Sequence, residues 1–249
     1  MPLYEGIREV NRDGLNLLAT NHLTPARFAH WIDLRKTLEA LDAAALDEMH
    51  GVTIQTQVLT QVAVAEGLHR RLYPATVSTR RVPKLSSAQR KKVRHAAREA
   101  AVATLTGDQF TDHDRGELRH AVSDALAHFN EQTFRSRMQD LVEVAERAVP
   151  GITASFSDWP DAVVKVRNIL VHHGTNPLNE FESFIDLLAA LKYSLAWVLR
   201  TVLLDRAGID HLAIQNGYRD WSAYRLHLAN VRQHLLASGG CAEDGLQPG

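Results

Sequence analysis

Cysteine is almost absent from this chain of 249 residues: Cys241, in a Gly-rich tail, is the only one, so no internal disulfide can form. That excludes a disulfide-stapled secreted domain and points to a reducing compartment. Proline (eight) and glycine (fourteen) are too sparse for a disordered or fibrous chain. The opening MPLYEGIREVNRDG lacks a basic start followed by an apolar run, so no secretory signal is read. The most apolar stretch, Phe181 to Leu204, carries Glu182, Asp186, Lys192 and Arg200 and is expected to be a core helix, not a membrane span. What remains is 45% hydrophobic and 23% charged with a net charge of −1, which predicts a soluble cytoplasmic protein with no membrane partner.

The hydrophobic pattern is helical nearly throughout. Thr24-Pro25 reads as an N-cap with proline in the first turn of a helix to about Leu46. Thr53 to Leu72 is rich in β-branched residues, yet Ile54, Val58, Val62, Ala65, Leu68 and Leu72 keep to one helical stripe. Ser86 with Gln89 and Thr111 with Asp114 are capping-box pairs, opening helices to about Leu105 and Phe129. Further helices are predicted over Thr133–Ala148, Trp159–His173 (capped by Asp158, closed by Gly174), Asn176–Arg206 (closed by Gly208) and Trp221–Leu236. No repeat and no hairpin signal interrupts them. The predicted fold is all-α.

Positive charge is concentrated in one place. Arg80, Arg81, Lys84, Arg90, Lys91, Lys92, Arg94 and Arg98 fall in a span without a single acid. Such a face suits RNA phosphates, whereas the plainer reading is a solvated face paired with acids elsewhere. No aromatic residue interleaves, so base stacking is not signalled.

The segment VVKVRNILVHHG contains Arg167, Asn168 and His172 in an R-N-x-x-x-H arrangement. Bare R-x4-H spacing recurs at Arg90–His95, Arg115–His120 and Arg206–His211, so the setting decides. At 100° per residue, Trp159, Ala162, Val163, Val166, Ile169 and Leu170 form an apolar stripe, with Arg167 and His172 on its opposite borders, about 140° apart. Val164 and Val171 share the outward face with Asn168, which suggests cover by a second surface, such as another helix or a dimer partner. A histidine in the last turn of a helix is stabilised as imidazolium and can act as acid or base; an arginine beside it can hold a phosphate. Read without further context, the same residues are a C-capping histidine and a surface arginine.

This segment resembles the signature of the HEPN superfamily, all-α domains whose ribonuclease members carry R-x4–6-H with a polar residue after the arginine. Arg167, Asn168 and His172 match it, in the penultimate long helix. RFAHWIDLRKTLEAL and LTQVAVAEGLHRRLYP resemble helices of the ApeA-like HEPN subgroup of bacterial anti-phage proteins, the likeness running from about Arg27 to Arg206. The resemblance implies a metal-independent endoribonuclease without a cofactor, usually a homodimer. His172 would move protons, Arg167 bind the scissile phosphate and Asn168 orient one of them. Glu66 and His69, on a neighbouring helix, and His173, one residue on, would be possible supporting residues, although a polar helix edge is the ordinary reading of the first two. ApeA-like proteins often carry a large N-terminal domain, and this chain has almost nothing there.

The organisation expected is an N-terminal helical extension over 1–50, a HEPN-like helical bundle over 51–208, a C-terminal helix over 209–236 and a flexible tail over 237–249. No H-E-x-x-H, cysteine pair, Walker loop, Rossmann glycine pattern or G-x-S-x-G is present, so neither a metal, a nucleotide cofactor nor a serine nucleophile is signalled. The competing readings are a non-catalytic RNA-binding or protein-interaction module and the toxin of a toxin–antitoxin pair; the partners expected are RNA, a second copy, and a sensor or antitoxin.

Overall fold

The computed structural model describes Leu18 and residues 22–46, 51–73, 85–107, 109–127, 129–173 and 181–237. Among these residues the protein is all-α. Its helices are α1 (Pro25–Leu38), α2 (Leu41–Leu46), α3 (Ile54–Leu72), α4 (Ser87–Ala103), α5 (Asp112–Ala125), α6 (Phe134–Ala148), α7 (Trp159–Asn168), α8 (Phe181–Arg206), α9 (His211–Asp220) and α10 (Ser222–Ala237). A π-turn, Ile169–His173, continues α7. The chain divides into two compact units, residues 1–72 with 134–249 and residues 73–133.

Helix α8 organises the larger unit, with α2, α3, α6 and α10 packed on it. Leu188, Leu191, Leu195 and Leu199 recur every three or four residues along α8 and are fully buried. Each such leucine contributes roughly 1.5–3 kcal/mol. The helix is long and apolar enough to cross a membrane, but 67% of its most apolar window is already buried in protein. Two buried polar contacts fix its neighbours: Trp159 Nε1 donates to Ser194 Oγ at 2.8 Å, and the Thr201 and Tyr218 hydroxyls share a hydrogen bond of 2.8 Å. Gly208, at φ +76°, ends the helix as the sequence predicts, in a conformation that costs glycine little.

The smaller unit is a hairpin of α4 and α5. Both capping boxes form: Gln89 N–H donates to Ser86 Oγ and Ser86 N–H to Gln89 Oε1, and Thr111 and Asp114 reciprocate likewise. Val102 is the one buried residue of α4, and α5 has none.

Two features depart from the sequence expectation. The helix predicted from Thr24 through Leu46 breaks at Glu39–Ala40, where φ is 50° and 69°. Two non-glycine residues in the left-handed region cost about 1–2 kcal/mol each. The break creates two contacts: Arg35 reaches buried Asp42 at 2.7 Å, and Arg71 reaches Glu39 at 2.6 Å. The turn also brings α2 onto α3 at Gly67, where an added Cβ would meet Leu41 Cδ1 at 2.9 Å. The second departure is α9, capped by the Asp210 carboxylate and not read from the sequence. Gly174, the helix start at Asn176-Pro177, Arg80, Arg81, Lys84 and Cys241 lie outside the described residues.

Candidate active site on the α7 π-turn

The motif helix is held hard at its N-terminal end. The Asp158 carboxylate accepts from Asp161 N–H at 2.8 Å and also pairs with Arg135 of α6. Trp159, 2% exposed, is tied to α8 through Ser194. The connection before it is ordered by Glu146, whose carboxylate accepts from Gly151 N–H at 2.7 Å and Thr153 N–H at 2.8 Å. Val163 and Val166 are fully buried, as the apolar stripe predicts.

Beyond Asn168 the winding changes. A π-turn closes hydrogen bonds to the fifth residue instead of the fourth, so each residue advances roughly 82° instead of 100°. Ideal π winding beyond Asn168 puts the backbone positions of Arg167 and His172 about 70° apart, half the separation of an ideal α-helix. Of His172 and His173 the structure describes the backbone, both lying in the π-turn. The side chains of both lie outside the described residues.

Arg167 is half-buried, and its guanidinium lies over the Phe134 ring, 4.9 Å from the centroid. Among the described residues it makes no hydrogen bond or ion pair. The other arginines with R-x4-H spacing are engaged: Arg90 donates to the Leu85 carbonyl at 3.3 Å, Arg115 to the Leu105 carbonyl at 3.4 Å, and Arg206 lies 4.0 Å from the Asp205 carboxylate. A cation held by an aromatic face keeps its donors available for an incoming anion. Asn168 is exposed, as is Val171 at 51%, while Val164 is half-buried.

Glu66 and His69 go separate ways. Glu66 accepts from Arg70 at 2.8 Å, one turn on along α3, and does belong to a polar edge. His69 does not. It is fully buried and shares a hydrogen bond of 2.9 Å with Asp140 of α6, which corrects its reading as an edge residue. Burial pushes its pKa below the ordinary histidine value, against the upward pull of Asp140. The pair locks α3 to α6 six residues from Phe134, the residue that holds Arg167. Phe134 and Asp140 carry no sequence signal of this role, because their partners lie 33 and 71 residues away.

In the hairpin, Lys91, Lys92 and the half-buried Arg94 have no ion-pair partner among the described residues, whereas Arg98 lies 3.5 Å from Glu99 and 2.9 Å from His95. Among the described residues no group of three His, Cys, Asp or Glu side chains is placed to hold a metal ion.

The described residues form an all-α protein in which α7 carries Arg167 and Asn168 and runs on into the π-turn of His172. The chain belongs to the Apea-like HEPN family, whose model matches residues 59–211, more than half its length. Membership places it among HEPN-type nuclease and defence modules in general. No curated protein and no solved structure matches it significantly.

Proposed function

We propose that the protein is a metal-independent endoribonuclease working through Arg167, Asn168 and His172. One observation carries this reading. Among the four arginines with R-x4-H spacing, Arg167 alone has its guanidinium held by a ring with no carboxylate or carbonyl partner among the described residues, next to the π-turn that carries His172. π-turns recur at functional sites because they aim residues that a regular helix would scatter.

The chemistry is transesterification. His172 takes the proton of an RNA 2′-hydroxyl; the oxygen attacks the adjacent phosphorus, and the bond to the 5′-oxygen breaks. The products are a 2′,3′-cyclic phosphate and a 5′-hydroxyl, the leaving oxygen receiving a proton. Arg167 binds the non-bridging oxygens and stabilises the charge that builds on them. Asn168 orients the phosphate or the imidazole. General acid–base catalysis of this kind contributes roughly 10²–10⁴-fold. The setting is the cytoplasm, in anti-phage defence (abortive infection) or growth arrest, with a homodimer meeting across exposed Val171 and a sensor or antitoxin as a further partner.

A second reading, a non-catalytic RNA-binding or protein-interaction module, is favoured by Lys91 and Lys92 on α4, which have no ion-pair partner among the described residues. Purified wild type and His172→Ala, incubated with total RNA in EDTA, separate the two. Cyclic-phosphate ends from wild type alone support the enzyme. Intact RNA in both, with RNA retained on the protein, supports the module.

A further inference from the structure

We propose that the cavity between α1 and the C-terminal end of α8 binds an amphipathic anion, an acyl chain ending in a carboxylate. The cavity measures about 550 Å³. That lies within the range of roughly 300–1,000 Å³ typical of small-molecule sites. Phe28 and Trp31 line it from α1, and Leu203, Leu204 and Ala207 from α8. Such a surface suits an aliphatic chain.

Two charged groups are exceptions, and both are cations. Arg27 and Arg200 line the cavity, and among the described residues no acidic one does. Arg27 already donates to the His22 carbonyl at 2.9 Å. Arg200 is different: it is half-buried and has no carboxylate or carbonyl partner among the described residues. Its guanidinium is stacked 4.6 Å from the Trp197 ring centroid and 5.6 Å from that of Trp221. A half-buried charge without a counterion is costly, and an anion entering the cavity relieves that cost. A guanidinium fork can grip a carboxylate in two bonds. The apolar walls then take the chain. Neutral amphiphiles gain only the second contribution, and cationic ones meet Arg27 and Arg200.

The test is titration of the full chain with dodecanoate, dodecanol and dodecyltrimethylammonium, each below its micelle concentration, followed by tryptophan fluorescence. Trp31 in the wall and Trp197 and Trp221 beneath Arg200 supply the signal. Dodecanoate should bind one to one and about tenfold tighter than dodecanol, with the cation weakest. Arg200→Leu should bring the dodecanoate-to-dodecanol ratio to about one. Phe28 is 64% exposed, so Phe28→Glu leaves the fold intact while placing a carboxylate at the mouth; it should weaken dodecanoate more than dodecanol. No dodecanoate binding, equal affinities in the wild type, or a ratio unmoved by Phe28→Glu would overturn the proposal.

Discussion

His227→Phe should remove a defined part of the protein's acid sensitivity. The ring of His227, on α10, is 3% exposed, and among the described residues neither of its nitrogens has a hydrogen-bond partner. It stacks on Trp197 with centroids 5.5 Å apart and lies beside Tyr193 and Tyr224. Burial, reinforced by the charge of Arg200, pushes its pKa down to about 4. The folded protein therefore holds this histidine neutral where the unfolded chain, with an ordinary value of 6.5, begins to take a proton. Because the unfolded state binds more protons in that window, stability is full above pH 6.5 and falls as pH drops toward 4. Integrating between pH 8 and pH 5 gives a loss of about 2 kcal/mol attributable to this one ring. In His227→Phe the loss should vanish. The variant should also be more stable at pH 8, by about 1 kcal/mol, since unsatisfied buried nitrogens are replaced by carbon of similar shape. Urea unfolding of both proteins at the two pH values measures the difference of differences, and His69, present in both, cancels. Equal losses in wild type and variant would refute the reasoning, because they would mean the ring is solvated or partnered in the folded state.

Three further outcomes are expected. Asp158→Ala removes the α7 cap and the partner of Arg135 and should cost about 1–2 kcal/mol in urea unfolding; Asp158→Asn, which keeps a capping oxygen, should cost less. Val171→Glu, at a site 51% exposed, should leave the melting curve nearly unchanged but yield monomers in light scattering, and a variant that stays dimeric places the interface elsewhere. If α4 contacts RNA phosphates, Lys91→Glu with Lys92→Glu should reduce the slope of log affinity against log salt by about 1.4 for a single strand; an unchanged slope removes α4 from the interface.

Local features were legible in the sequence. Ser86 with Gln89, Thr111 with Asp114, and Asp158 before Trp159 cap the helices they open, because a cap is decided within three residues by side-chain oxygens and orphan N–H groups. The buried stripe of α7 was equally legible, since a 3.6-residue period needs no tertiary knowledge. What the sequence hid depends on distant partners. Glu39 and Ala40 adopt positive φ at a turn where Arg35 meets Asp42 and Arg71 meets Glu39. His69 reads as a polar edge until Asp140, 71 residues on, is seen to take its ring into the core. Helix α9 was missed as a separate element although Asp210 is a competent cap. Of the candidate site, the residue identities could be read from the sequence, but the relation between them could not: the ring behind Arg167 and the change of winding after Asn168 leave no trace in spacing.

That change of winding bears on how such sites are counted. Angular phase between an arginine and a histidine depends on the residues between them and on how each is wound. With ideal π winding after the first of them, four intervening residues give about 70°, whereas the same four in ideal α-helix give about 140°. Three intervening residues in unbroken α-helix give about 40°, nearer to the π-wound case than the identically spaced regular helix. Chains that differ by one residue between the two side chains can therefore present equivalent geometry, and chains with identical spacing can present different ones. Sorting arginine–histidine helices by phase, with π-turns included, would group sites by the geometry they offer a phosphate and not by the length of chain between its ligands.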